Sequence, residues 1–197
     1  MRYASIRNLD VSNGENIGVS LFIQGCDRKP HCKNCFNPET WDFNGGKEWT
    51  EETKNKFLEL IDRPYIKRVS ILGGEPLAEQ NLDDVLSLVQ ELRNSYPKKS
   101  IWLYTGYTLT LRNDSIKVDD FWNEPDEDFS YFETTKNNSL LEKIKRKLII
   151  NLCDVVIDGE YIDELRNVTL AYRGSKNQRV IDIQQSLSQG QIVLYCD

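Results

Sequence analysis

The sequence predicts an α/β fold, and three observations carry that prediction. Short apolar runs closed by glycine alternate with amphipathic stretches of helical period. The 197 residues fit one domain with a sizeable core. The chemically unusual residues fall just after the apolar runs, where α/β sheets place their ligand sites.

GVSLFIQG (18–25) reads as a buried strand running straight into a cysteine loop. TEETKNKFLELI (50–61) reads as a helix. Thr50 is its N-cap, Glu51 and Glu52 occupy the first turn where the helix dipole favours negative charge, and Pro64 ends it. IKRVSILGGEP (66–76) is a strand stopped by two glycines. NLDDVLSLVQELRNSYP (81–97) places Leu82, Val85, Leu86, Val89 and Leu92 on one helical face, with Asn81 as cap and Pro97 as stop. SIWLYTG (100–106) is the next strand, and SLLEKIKRKLI (139–149) repeats the helical pattern through Leu140, Leu141, Ile144 and Leu148. CDVVIDG (153–159) is a buried strand; RVIDIQQSL (179–187) and QIVLY (191–195) are late strands. Such alternation predicts parallel β/α units with right-handed crossovers. DDFWNEPDEDFSYFETTKNN, at about 119–138, is acidic and aromatic without a period. It is read as a surface insertion in a single domain spanning 1–197.

The net charge of −6 argues against nucleic acid as a partner. The densest basic run, KIKRK at 143–147, reads as the solvated face of a helix. No apolar run has the length of a membrane span, and the N-terminal residues lack the apolar core of a signal peptide. The expected location is therefore the cytoplasm, where thiols stay reduced. Five cysteines, an odd number, also suit no disulfide framework.

Three of them, Cys26, Cys32 and Cys35, follow the first strand at C-x5-C-x2-C spacing, with the chain's single histidine, His31, between the first two. A nucleophilic thiol with His31 as base would leave two thiols without a role. A Cys3His zinc site would require the adjacent His31 and Cys32 to turn toward one ion, and no second ligand pair follows. An iron–sulfur cubane suits the set better: each iron takes one outside ligand, and three cysteines leave one iron open for substrate. GGEP follows the second strand. Gly73 and Gly74 permit close backbone approach to a ligand, and Glu75 offers a carboxylate for an ammonium group.

These residues resemble the radical S-adenosylmethionine enzymes. Within them, CFNPETWDFNGGKEWT (35–50), LGGEPL (72–77), WLYTGYT (102–108), DVVIDGEYIDEL (154–165) and YRGSKNQRVIDI (172–183) resemble the activating proteins of anaerobic ribonucleoside-triphosphate reductase. The resemblance implies a shortened open (β/α) barrel of the radical SAM type, with a 4Fe-4S cluster on Cys26, Cys32 and Cys35 and S-adenosyl-L-methionine at the open iron. Reductive cleavage of that cofactor would give a 5′-deoxyadenosyl radical that makes a glycyl radical on the reductase. It implies the reductase as partner and a low-potential donor such as a flavodoxin. It also implies cofactor contacts from Asn34, Cys35, Phe36, Gly73, Gly74, Glu75, Tyr104, Thr105 and Gly106, and no separate catalytic base. Two alternatives stay open: an activator of another glycyl-radical enzyme, and a zinc-stabilised adaptor without chemistry.

This sequence departs from the family's usual C-x3-C-x2-C. Two extra loop residues cost only about 0.4 kcal/mol of closure entropy, against metal-binding energies on the order of 10 kcal/mol. The longer loop is thus compatible with assembly. For Tyr107 packing and a cofactor contact are weighed equally; bland roles are expected for Asp158 (a turn cap), His31 (a solvated loop residue) and Cys153 (core filling).

Overall fold

The computed structural model describes residues 1–112, 115–119 and 134–196. In chain order the strands and helices are β1 (Arg2–Asp10), β2 (Gly18–Ile23), β3 (Lys47–Glu48), α1 (Glu51–Ile61), β4 (Arg68–Gly73), α2 (Leu82–Ser95) and β5 (Ser100–Tyr104). They continue with β6 (Thr108–Arg112), β7 (Ser115–Asp119), α3 (Thr134–Leu152), β8 (Val155–Asp158), β9 (Arg179–Asp182), α4 (Ile183–Gln189) and β10 (Val193–Cys196).

Eight strands form one mixed sheet in the order β10-β9-β8-β5-β4-β2-β1-β3, and β6 and β7 pair as a separate hairpin. The parallel units expected from the alternation occupy the centre: β2 with β4, β4 with β5, and β5 with β8. Both edges are antiparallel, through β1 and β3 on one side and β9 and β10 on the other.

The period of two in each strand separates two faces. Val19, Leu21 and Ile23 of β2, Val69 and Ile71 of β4, Ile101 and Leu103 of β5 and Val156 of β8 share one core with the apolar faces of the helices. Phe57 and Ile61 of α1, Val85, Leu88, Val89 and Leu92 of α2, and Ile149 and Ile150 of α3 complete it. The alternate residues, Ser20 and Phe22, Arg68, Ser70 and Leu72, Trp102 and Tyr104, point the other way. Polar residues inside otherwise apolar runs are the mark of this second face.

At the N-terminal ends of the central strands that second face is filled by the chain between β1 and β2. Arg68 is fully buried at the start of β4. Its guanidinium donates to the carbonyls of Asp10 (2.7 Å), Asn13 (2.5 Å) and Glu15 (3.1 Å) and to the Ser70 hydroxyl. Gly14 (φ +130°) lies so close that a Cβ there would meet Arg68 Cδ at 2.5 Å and the Trp102 ring at 2.8 Å. A buried charge is stable only when its donors are used, and here several acceptors converge on one guanidinium.

Several expectations need correction. RVIDIQQSL is a strand only to Asp182. The Asp182 carboxylate accepts from Gln185 N–H (2.9 Å) and starts α4, so the apolar Ile183 and Leu187 lie one helical turn apart. Asn81 does not cap α2 with its side chain. Its amide instead donates to the carbonyls of Gln24 (3.2 Å) and Glu75 (3.0 Å). Leu88 is buried on α2, whereas Leu86 is only partly so. On α3, Leu140, Leu141, Ile144 and Leu148 are exposed, and Arg146, Ile149 and Ile150 are buried instead. β1 and the β6–β7 hairpin carried no strong apolar run and were not expected. Of the insertion expected at about 119–138, residues 120–133 lie outside the described residues; Asp119 ends β7, and residues from Thr134 onward belong to α3. Thr50 does cap α1, accepting from Thr53 N–H at 3.2 Å.

Replacing Arg68 by Met is expected to destabilise the protein by about 3–5 kcal/mol, because it removes the cation beside the buried Asp10 and leaves the carbonyls of Asp10, Asn13 and Glu15 without their donor. Chemical denaturation of the purified variant checks this.

Candidate metal and cofactor site

The site begins where β2 ends. Gly25 N–H donates to the Thr40 carbonyl (2.7 Å) and Cys26 N–H to that of Trp41 (3.0 Å), so the cysteine loop leaves and returns beside the same strand. The Gln24 amide, fully buried, donates to the carbonyls of Glu39 (2.9 Å) and Asp42 (2.8 Å) and secures the returning chain. His31 stacks on Trp41 with ring centroids 4.3 Å apart, which anchors the long segment between Cys26 and Cys32. It is half-buried rather than solvated. Cys35 N–H closes a turn on the Cys32 carbonyl at 3.2 Å.

The GGEP turn locks onto the root of this loop. Gly74 N–H donates to the Ile23 carbonyl (2.8 Å) and Glu75 N–H to the Gly25 carbonyl (2.7 Å). A Cβ on Gly74 would lie 2.1 Å from the Gly25 oxygen, and Gly73 has φ +116°, so both positions require glycine. The close approach is between two stretches of backbone.

Glu75 is buried and ties the GGEP turn to the turn after β5. One carboxylate oxygen accepts from Leu77 N–H (2.9 Å) and the Thr105 hydroxyl (2.7 Å), the other from Gly106 N–H (2.8 Å). A carboxylate offers about four acceptor sites, so three donors leave it room for one more. Burial above all, and next the nearby Asp27, push Glu75 up to about 7, against the pull of its three donors.

A cavity of about 540 Å³ opens on the second face of the sheet, at the C-terminal ends of the strands. That lies within the range of roughly 300–1,000 Å³ for small-molecule and cofactor sites. Its walls include Cys26, Cys32, Cys35, Phe36, Gly73, Gly74, Glu75, Tyr104, Thr105 and Gly106. Of the residues expected from the sequence, Asn34 is not among them. Its side-chain amide donates to Asp163 (2.7 Å), tethering the cysteine loop to the 163–165 turn.

Sequence reasoning missed part of the wall. Arg7, Ser12 and Asn13 reach it from β1 and the plug beneath; no motif marked them. Tyr172, Arg173, Gly174 and Gln178 come from YRGSKNQR, a stretch singled out by resemblance without an assigned role. Within that stretch Arg179 pairs with the buried Asp158, which also accepts from Leu109 N–H at 2.8 Å, so both serve the frame. Tyr107 is fully buried and donates to Asp27 (2.8 Å). Cys153 is buried in the core, its thiol directed at the Ile149 carbonyl (3.2 Å).

Cys26, Cys32 and Cys35 are free thiols, each half-buried. Burial, then the charge of Glu75, pushes Cys26 up to about 12; burial also raises Cys32. Thiolates in such surroundings need a cation beside them, and iron would be that cation. A cubane takes each thiolate on a different iron, so three free thiols lining one cavity are a donor set that fits it.

The fold is α/β, and the family model described as "4Fe-4S single cluster domain" matches residues 12–181, which puts the chain in the class of single-cluster iron–sulfur proteins. At full length the similarity is more specific. The anaerobic ribonucleoside-triphosphate reductase-activating protein of Salmonella typhi is 31% identical over 182 residues, covering 91% of this chain and 97% of that protein. Its namesake in Escherichia coli K12 is 30% identical with the same coverage. That of enterobacteria phage T4 is 31% identical over 91% of this chain and 93% of its own. The chain belongs to the family of anaerobic ribonucleoside-triphosphate reductase-activating proteins. No solved structure matches it.

In the cluster-free protein, Glu75 makes folding stability fall as pH rises from about 4.5 to about 7. The folded state holds its proton through that window and the unfolded state does not. Glu75→Gln is expected to flatten this dependence by about 3 kcal/mol across the window, measured as denaturation midpoints against pH.

Proposed function

We propose that this protein activates an anaerobic ribonucleoside-triphosphate reductase by reductive cleavage of S-adenosyl-L-methionine at a 4Fe-4S cluster. The observation that carries the reading is convergence: three free thiols and the GGEP and YTG turns, far apart in sequence, line one cavity. When bound, the cluster would pass one electron from its donor into the sulfonium of S-adenosyl-L-methionine, which would part into methionine and a 5′-deoxyadenosyl radical able to take a hydrogen atom from a glycine of the reductase.

The chain's own part is to hold, orient and exclude water. Cys26, Cys32 and Cys35 hold the cluster. Gly73 and Gly74 keep the turn close to the loop, and Glu75 presents its remaining acceptor site to the ammonium group. Tyr104, Thr105 and Gly106 form the wall beside it. Phe22, Leu72 and Trp41 add apolar surface to the cavity, which lowers the local dielectric and keeps water out. The Phe36 ring, exposed and tilted against Tyr161 at 4.9 Å, supplies a flat face near the mouth. Asn34 acts through its tether to Asp163 and not by contact. The electron comes from a low-potential donor of the flavodoxin kind, in the cytoplasm. Among the described residues no helix is long and apolar enough to cross a membrane.

The test is electron paramagnetic resonance on anaerobically reconstituted, reduced protein, with and without S-adenosyl-L-methionine. A 4Fe-4S signal that changes on adding the cofactor supports the reading. Stoichiometric zinc with no iron would sink it in favour of a structural adaptor. Alanine at Cys26, Cys32 or Cys35 is expected to abolish bound iron and cofactor cleavage. Alanine at Cys153 is expected to leave iron content unchanged. Colorimetric iron per chain reads both.

A further inference from the structure

One acid beside the metal loop has no part in the reading above. Asp27 directly follows Cys26 but does not belong to the cavity wall. One of its carboxylate oxygens accepts from the hydroxyl of the fully buried Tyr107 (2.8 Å). The other, Oδ1, is buried and has no hydrogen-bond partner among the described residues. Arg28, the next residue and a cation, pairs with Glu160. The Asp27 charge therefore stands in partly buried surroundings with a phenol as its donor.

Tyr107 is itself held from several sides. Its N–H donates to the Thr105 hydroxyl (3.1 Å), and its carbonyl accepts from Gly159 N–H (2.9 Å). The buried Arg146 of α3 lies over its ring at 4.9 Å and reaches its hydroxyl with one terminal nitrogen (3.4 Å). The same guanidinium donates to the Leu77 carbonyl (2.9 Å), just past the GGEP turn. A chain of contacts thus runs from α3 through Tyr107 to Asp27 and ends next to Cys26. Burial raises the Tyr107 phenol, so it stays a donor at neutral pH. A tie of this kind needs no charge at its end, because an amide oxygen accepts from a phenol as well. A carboxylate costs more to bury, which points to a use for the charge itself.

We propose that Asp27 is a fixed negative charge that keeps the reduction potential of the cluster low, and that Tyr107, backed by Arg146, is the positioning residue that holds it there. The inference rests on the reading of Cys26, Cys32 and Cys35 as cluster ligands. Net charge is one of the levers that set iron–sulfur potentials, and a charge in a low-dielectric setting acts over several ångströms. Negative charge beside the cluster disfavours the entry of an electron and makes the reduced form a stronger reductant. A sulfonium accepts an electron only from a strong reductant, so a low potential is what the proposed reaction requires. No bond forms and no proton moves in this step: one electron passes from the flavodoxin-like donor into the cluster.

The test is a potentiometric titration of the anaerobically reconstituted protein, without S-adenosyl-L-methionine. Electron paramagnetic resonance reads the reduced cluster, and colorimetric iron per chain is measured beside it. Asp27→Asn keeps an acceptor for Tyr107 and removes the charge. Its one-electron reduction equilibrium is expected to shift about tenfold or more toward the reduced form, a midpoint higher by about 59 mV. Asp27→Glu keeps the charge and is expected to stay within about threefold of the wild type. Tyr107→Phe lets the carboxylate turn toward water, where it is screened, and is expected to shift the equilibrium about threefold in the same direction as Asp27→Asn. An Asp27→Asn variant with full iron and an unchanged or lowered midpoint overturns the proposal. So does an Asp27→Glu variant that shifts as far as Asp27→Asn. If Asp27→Asn fails to hold iron, Tyr107→Phe decides: an unchanged midpoint overturns the proposal, and so does loss of iron there too, since the tie would then serve assembly alone. Wild type that takes up zinc and no iron would instead remove the cluster reading, and this role of Asp27 with it.

Discussion

Two backbones meet at the root of the site with no side chain between them. The Gly25 carbonyl accepts from Glu75 N–H at 2.7 Å, and any Cβ on Gly74 would stand 2.1 Å from that same oxygen. This contact fixes where the cysteine loop leaves the sheet relative to where GGEP leaves it. Asn81 strengthens it from behind by bridging the Gln24 and Glu75 carbonyls. Glu75 then extends the unit sideways, through Thr105 and Gly106, to the turn after β5. Three turns remote in sequence thus behave as one rigid rim. A binding site has to hold its geometry to within a fraction of an ångström, and backbone-to-backbone ties are stiffer than contacts between long side chains.

The electrostatics of the rim follow from the same packing. Cys26, Asp27 and Glu75 place acidic groups close together in partly buried surroundings, and the upward shifts of Cys26 and Glu75 record the conflict. Arg146, buried beneath, lies over the Tyr107 ring at 4.9 Å and donates to the Leu77 carbonyl (2.9 Å), placing a cation below the rim rather than in the cavity. An incoming cationic cluster core would convert this conflict into attraction, since thiolates beside metal ions are deprotonated outright. Binding the group and relaxing the site are then one event. This is the usual linkage between metal loading and local stability.

How much of this was legible beforehand depended on the kind of signal. Glycine-closed strands and amphipathic helices announce themselves by period, so the central parallel strands, α1 and α2 were readable, as was the gathering of their following turns on one rim. The cysteine loop and GGEP were legible as neighbours because each follows a glycine-closed strand, and both line the one cavity. β1 was not, because Arg2–Asp10 alternates weakly and sits at an edge pairing. The helix at Ile183 was masked by β-branched residues whose propensity yields to a local cap at Asp182. The exposed apolar residues of α3 misled by pattern alone; the helix buries the face bearing Arg146, which no hydrophobicity count would choose. Asn34 was expected at the cavity from the family resemblance, through its backbone. A left-handed backbone (φ 54°) and the Asp163 acceptor turn it away.

The second face of the sheet explains why the cavity is where it is. Ser20, Ser70 and Arg68 cannot pack against an apolar helix, so the chain between β1 and β2 folds across them and fills that face at the N-terminal ends of β2, β4 and β5. What remains is the C-terminal half, walled by Phe22, Leu72 and Tyr104 and rimmed by the functional turns. With the plug beneath, the cavity is open at the rim, so a ligand enters from that side. The loop from Asp163 to Arg173 borders this approach, with Val168 80% exposed at its crest. The plug that stabilises the fold therefore also sets the direction from which the cavity is reached.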